Sequence, residues 1–210
     1  MDITPETIRI LSVDDHPLLR EGIGALIAGH RDLQLVAEAS NGHEAIEQFR
    51  SHHPDVTLMD VQMPEMNGIA ALIAIRSEFP DARIIVLTAY GGDALCMRAM
   101  KAGAQAYILK DNARTDLLDT IRVVRAGKKF IHAEVAAELA SHATDAALSE
   151  REIDVLSLIA DGSSNKLIAD RLTIVEDTVK GHVKRILAKL GVNDRTHAVT
   201  VGLKRGIIAL

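Results

Sequence analysis

The sequence predicts a doubly wound α/β domain built on a five-stranded parallel sheet, followed by a small all-α domain of four helices. Three observations lead there. Between residues 8 and 127, apolar runs of strand length alternate five times with segments of helical periodicity. The strand runs are nearly continuous Ile, Val and Leu, the pattern of a sheet covered on both faces. Beyond Ser149 the strand signal is gone and only helical spacing remains.

Residues 8–13 read as a buried strand that ends in Asp14-Asp15, and Pro17 opens a helix with Leu18, Leu19, Ile23, Leu26 and Ile27 at helical spacing. A second strand, 33–39, gives way through Ser40-Asn41-Gly42 to a helix reaching about Ser51. The third strand, 56–59, stops at Asp60, and a helix over 67–78 follows. Strand 83–88, a helix near 92–102, strand 106–109 ending at Lys110, and a helix over 115–126 complete five strand–helix units. Each crossover is long enough for parallel pairing. A short Ala-rich helix over 133–142 and a loose stretch to Ala147 read as a linker, giving domains 1–127 and 148–210 joined by 128–147. Ser149 and Glu152 have capping-box spacing and start the first of four helices, at about 149–161, 165–172, 176–190 and 195–205.

Composition narrows the class. Of 210 residues, 48% are hydrophobic, 25% charged and 2% aromatic, with no Trp, so both cores must be aliphatic. No apolar run approaches the roughly 18 residues of a membrane span, and Met1–Glu6 lacks the basic start and apolar stretch of a signal peptide. The single cysteine, Cys96, excludes an intrachain disulfide and suits a reducing cytoplasm. The net charge of −5 divides unevenly. Residues 147–210 hold ten Lys/Arg against eight Asp/Glu, and residues 176–210 hold seven against three. Positive charge thus gathers at the C-terminal end, which permits a nucleic-acid partner.

In doubly wound sheets, functional residues collect at the carboxyl ends of the strands. That edge receives Asp14 and Asp15 from strand one, Asp60 from strand three, Thr88 from strand four and Lys110 from strand five. Three carboxylates in one cleft repel one another unless a cation sits among them, and an oxygen cage with few protein ligands suits Mg²⁺. With Lys110 as a fixed positive charge and Thr88 as a hydroxyl donor, the set suits in-line phosphoryl transfer onto a carboxylate. A lone Asp at a strand end is more often a helix N-cap; five residues of the required types at successive sites are harder to explain that way.

The segments Val13-Asp14-Asp15-His16, Met59-Asp60-Val61-Gln62-Met63-Pro64-Glu65-Met66-Asn67-Gly68, Leu87-Thr88-Ala89 and Tyr107-Ile108-Leu109-Lys110 resemble a response-regulator receiver domain of flavodoxin-like fold. The resemblance implies that Asp60 is the phosphoacceptor. It also implies that Asp15, Asp60 and the Gln62 backbone carbonyl bind Mg²⁺, with Asp14 acting through water. Lys110 would pair with the phosphoryl group, while Thr88 and Tyr107 would form the activation switch. Gln62 and Tyr90 would flank the path of hydrolytic water and keep self-dephosphorylation slow. Asp111 stands where many receivers have Pro after the Lys.

The C-terminal segments Leu148-Ser149-Glu150-Arg151-Glu152, Ala160 to Ala169, Thr178 to Val183 and Lys189-Leu190-Gly191-Val192 look like a LuxR-type helix-turn-helix, and the whole is similar to the NarL/FixJ family. Helix 176–190 places Lys180 and Lys184 on one face, with Val179, Val183, Ile186, Leu187 and Leu190 turned inward. An isolated helix of this kind would more often be a plain amphipathic one; within the resemblance it reads a major groove. Lys166, Arg185, Lys189 and Arg195 are candidate phosphate contacts. Val175 replaces the family's usual capping Ser, and Gly181 replaces a side chain that often contacts bases. Ala198, Val199, Val201 and Leu203 suggest an apolar last-helix face for pairing two copies.

The expectation is a non-enzymatic cytoplasmic regulator of transcription. A sensor histidine kinase would phosphorylate it, and it would form a homodimer when phosphorylated, bind double-stranded DNA and have no membrane partner. Two alternatives remain. One is DNA binding independent of phosphorylation, which leaves the Asp14/Asp15/Asp60/Thr88/Lys110 set without a purpose. The other is an aspartyl-phosphate phosphatase of haloacid-dehalogenase type, which wants a second Asp where Gln62 stands.

Overall fold

The computed structural model describes residues 7–89, 92–131, 135–137, 140 and 147–208. Tyr90 and most of the Ala-rich helix expected over 133–142 lie outside the described residues. The chain divides into two compact units, one formed by residues up to 89 together with 96–133, the other by 90–95 together with 134–210.

The first unit alternates β1 (Ile8–Val13), α1 (Pro17–Ala28), β2 (Leu33–Ala39), α2 (Gly42–His52), β3 (Val56–Asp60), α3 (Gly68–Glu78), β4 (Ile84–Thr88), α4 (Asp93–Ala102), β5 (Ala106–Leu109) and α5 (Ala113–Arg125). The sheet order is β2-β1-β3-β4-β5-β6, all parallel. A two-residue strand, β6 (Phe130–Ile131), is thus added to the five read from the sequence. It follows the Gly127 turn and is too short to produce a periodic signal of its own. The core runs through the strands and their covering helices, including Ile10, Val56, Leu58, Ile85 and Ile108 from the sheet and Ile27, Leu117, Ile121 and Val124 from the helices.

Local chemistry sets the helix starts. Pro17 enters α1 at a position where its missing N–H costs nothing. The Asn41 side chain accepts from Glu44 N at 2.9 Å to start α2, and the Asn67 side chain accepts from Ala70 N at 2.9 Å to start α3. The residue after Lys110 does not disturb the site loop: Lys110–Asn112 makes one 3-10 turn directly into α5.

Among the described residues, the second unit has four complete helices, α6 (Glu150–Ala160), α7 (Asn165–Leu172), α8 (Glu176–Leu190) and α9 (Arg195–Lys204). The expected capping box is present at Ser149 and Glu152. Val175 gives α8 no side-chain cap, and Glu176 and Asp177 occupy its first turn. Val155, Leu156, Ile159, Ile168, Val179, Ile186 and Ala198 form the core. Ala198 is buried, and Val199, Val201 and Leu203 are partly buried against the domain's own core, each keeping part of its side chain exposed. Among the described residues, no helix is long and apolar enough to cross a membrane.

Gly68 controls how closely α3 approaches the end of β3. Its N–H donates to the Val61 carbonyl at 3.0 Å, and a Cβ built there would lie 1.8 Å from the Asp60 carbonyl oxygen. Backbone must therefore move to admit any side chain. We expect Gly68→Ala to cost about 1–3 kcal/mol, seen as a Tm lowered by several degrees in a calorimetric scan. An unchanged Tm would show that the loop relaxes freely.

Candidate functional site

The strand order puts the switch point of the doubly wound sheet between β1 and β3. Val13 pairs with Met59, so the next residues, Asp14 and Asp60, emerge side by side. Thr88 pairs with Leu109, so Lys110 emerges beside Thr88 on the same edge. Asp14, Asp60 and Thr88 are buried. The Lys110 Nζ lies 2.7 Å from Asp14 Oδ2 and 2.7 Å from Asp60 Oδ2. Asp15 is half-buried beside them, and the Gln62 N–H is 3.3 Å from Asp60 Oδ1. Asp14, Asp15, Asp60, Gln62, Thr88 and Lys110 therefore meet at one edge. Tyr107 is fully buried within β5, where it pairs with Val86.

The charges do not balance. Burial pushes the Asp60 carboxyl above its ordinary pKa; the Lys110 ammonium opposes this, the Asp14 charge adds to it, and the net direction is upward. Burial also works against a charged Lys110, but hydrogen bonding and attraction from Asp14 and Asp60 outweigh it and raise its pKa. Three carboxylates gather around one ammonium, so negative charge is in excess at this edge. Asp14 Oδ2 and Asp15 Oδ1 are buried without a directed hydrogen bond, although each lies 2.7 Å from a cationic or imidazole nitrogen. Those lone pairs suit a divalent cation. One ligand atom each from Asp14, Asp15, His16 and Asp60 falls within 4.8 Å of the others.

Two neighbours escaped the sequence reading. His16 donates its N–H to Asp14 Oδ1 at 2.9 Å, and its Nδ1 lies 2.7 Å from Asp15 Oδ1. Arg20, one turn into α1, donates to the Asp14 carbonyl oxygen. The spacing Asp14-x-His16-x-x-x-Arg20 was the available signal, since a helix starting at Pro17 turns position 20 back toward its own N-terminus.

The expected DNA contacts are distributed differently. Lys180, Lys184 and Lys166 are exposed. Lys180 donates to Asp177 Oδ1 at 2.9 Å, and among the described residues Lys184 has no ion-pair partner. Lys189 and Arg185 are engaged within the domain. Lys189 donates to Glu152 Oε2 at 2.7 Å and to the Ala147 carbonyl at 2.9 Å, and Arg185 Nε lies 3.4 Å from Glu152 Oε1. Arg195 donates to the Ser163 carbonyl at 2.9 Å. Burial would raise the Glu152 carboxyl, but hydrogen bonds from Lys189, the Ser149 N–H and the Ser149 hydroxyl hold it down at about 2. This network fixes α8 against the start of α6. It was not legible because it joins residues 37 apart whose periodicity places them only on helix surfaces.

Residues 10–122 match the response regulator receiver domain, and residues 146–201 match the bacterial regulatory proteins of the luxR family. The chain is 37% identical over 214 residues to the uncharacterized transcriptional regulatory protein YxjL of Bacillus subtilis, covering 97% of this chain and 98% of that one. It is 37% identical over 207 residues to the response regulator protein VraR of Staphylococcus aureus, covering 96% and 99%. Among solved structures it is similar to RcsB from Salmonella enterica serovar Typhimurium bound to a promoter in the presence of the phosphomimetic BeF3−. That likeness has a TM-score of 0.71 and 27% identity, over 94% of this chain and 98% of that one.

The Glu152 network can be tested through pH. A carboxyl at about 2 in the folded state, against 4.5 ordinarily, contributes stability above pH 4.5 and loses it as the pH falls toward 2. Glu152→Gln should therefore destabilise the protein at pH 7 by at most about 3 kcal/mol. The gap between the two proteins should narrow below pH 4.5. Urea unfolding of both from pH 7 to pH 3 reads this directly, and a constant gap would remove the ion pair from the explanation.

Proposed function

This chain belongs to the response regulators that join a receiver domain to a LuxR-type DNA-binding domain, and from that premise we propose that Asp60 is its phosphoacceptor and α8 its DNA-reading helix. The domain boundaries proposed are 1–127 for the receiver, 128–147 for the linker and 148–210 for the DNA-binding domain.

One observation carries the first assignment: Asp60 is buried beside Asp14, with its Oδ2 2.7 Å from Lys110 Nζ. An attacking carboxylate must be ionised, and the ammonium favours that form. A sensor histidine kinase would present a phosphoryl group on nitrogen. The P–N bond breaks as an Asp60 oxygen forms the P–O bond, and the imidazole departs with the electron pair. A Mg²⁺ ion held by Asp15, Asp60 and the Gln62 carbonyl, with Asp14 through water, would offset the excess negative charge. Lys110 stays positioned to pair with a phosphoryl oxygen. Thr88 and Tyr107, buried on adjacent strands, are the proposed switch residues. Gln62 brings no carboxylate base to the site, which favours slow hydrolysis of the acyl phosphate.

For DNA, Lys180 projects from the first half of α8, the part of a second helix that meets base edges, and Lys184 follows one turn later on the same face. Lys166 is the exposed candidate for a phosphate; Arg185, Lys189 and Arg195 would reach one only by giving up the contacts described above. A homodimer on double-stranded DNA is proposed by analogy with the RcsB dimers solved on DNA. A cytoplasmic location follows from the DNA target.

Intact mass spectrometry after incubation with a small phosphodonor and Mg²⁺ should show one phosphoryl adduct on the wild type and none on Asp60→Ala. An equal adduct on the variant would move the acceptor elsewhere. Lys180→Ala and Lys184→Ala should each weaken binding to a selected duplex by roughly 1–3 kcal/mol if they read bases. Wild-type affinity in both would remove α8 as the reader.

A further inference from the structure

The turn of α8 that would meet DNA carries two acids. Glu176 and Asp177 occupy its first turn, where the positive end of the helix favours them and where Val175 offers no cap. Helix stability alone explains an acid in that turn, but it does not explain how Asp177 is used. Asp177 Oδ1 accepts from Lys180 Nζ at 2.9 Å, and Glu176 Oε1 lies 3.8 Å from the same ammonium. Asp177 is the most exposed of the three side chains, at 88% against 57% for Lys180 and 48% for Glu176. At i, i+4 and i+7, Asp177, Gly181 and Lys184 share the outward line of the helix.

We propose that Asp177 is a specificity-determining residue that holds Lys180 in an ion pair and withholds it from phosphates on arbitrary DNA. Duplex of any sequence offers phosphates, and an unpaired lysine on the reading face would release counterions wherever it landed. Paired with Asp177, Lys180 adds little to that attraction, and the acid itself repels the backbone. A site that places base acceptors such as guanine O6 and N7 against Lys180 gives the ammonium a replacement partner. The pair is exposed, so the exchange is readily reversible. The cost of the acid falls on non-specific binding more than on specific binding, and discrimination rises.

The inference rests on α8 being the reader, and one experiment separates the two. A fluorescently labelled random-sequence duplex is titrated with the full chain across a salt series, using wild type, Asp177→Asn, Glu150→Gln and the double variant Lys180→Ala/Asp177→Asn. Circular dichroism melts confirm that each is folded. Asp177→Asn should bind random duplex several-fold more tightly, with the log–log salt slope steeper by about one. Glu150→Gln, which removes the same charge from the exposed start of α6, should change both much less. The double variant should lose the gain. Unchanged affinity and slope in Asp177→Asn would overturn the proposal. So would a double variant that keeps the gain, or a Glu150→Gln effect of equal size, because the ion pair would then be irrelevant. If instead Lys180→Ala and Lys184→Ala leave binding to a selected duplex untouched, the α8 assignment fails rather than this one.

Discussion

Two buried carboxylates sharing one ammonium are the constraint around which the first unit is arranged. Adjacent β1 and β3 deliver Asp14 and Asp60 together, and like charges at that depth cannot both stay ionised without a cation. Lys110 comes from β5, across β4, and its Nζ reaches both. That reach rests on the parallel register of β3, β4 and β5. Removing Lys110 would leave buried carboxylates in contact; removing either Asp would leave a buried ammonium with one partner. Arg20 on the Asp14 carbonyl and His16 on both N-terminal carboxylates steady the loop from its open side. The arrangement still leaves negative charge in excess, which favours a divalent cation.

The fold class and the convergence of the candidate site residues were legible in the sequence for a specific reason. In a parallel sheet every strand ends on the same edge, so residues ending five separate apolar runs converge whatever the loop details are. Asp14, Asp60, Thr88 and Lys110 needed no side-chain geometry to be placed together. What was not legible depended on distances between surfaces. The β6 strand is two residues long and leaves no period. Ala198, Val199, Val201 and Leu203 form one apolar stripe, and a single helix's pattern does not say how much of it the domain's own core covers. Lys189 and Arg185 counted as available positive charge because composition does not register a buried Glu152 across the bundle.

That last point changes how the positive C-terminal end is to be understood. Seven basic residues against three acidic ones over 176–210 suggests a strong general attraction for nucleic acid. In the folded unit Lys189 and Arg185 face Glu152, and Lys180 faces Asp177 and Glu176. The basic side chains left outward without an acid are fewer than the count implies, with Lys184 and Lys166 the clearest among the described residues. A domain built this way relies less on phosphate attraction, which every duplex supplies, and more on contacts that only some sequences supply.

The two units therefore place charge under opposite regimes. At the sheet edge the groups are buried, the effective dielectric is low, and a phosphoryl group adding about 1.5 to 2 negative charges would have to be met by moving fixed partners such as Lys110 and Thr88. On α8 the ion pairs are exposed and individually worth about 0–1 kcal/mol, so they give way to a well-placed replacement partner at little cost. Strong coupling suits the step that must hold a signal, and weak coupling suits the step that must sample many sites before settling on one.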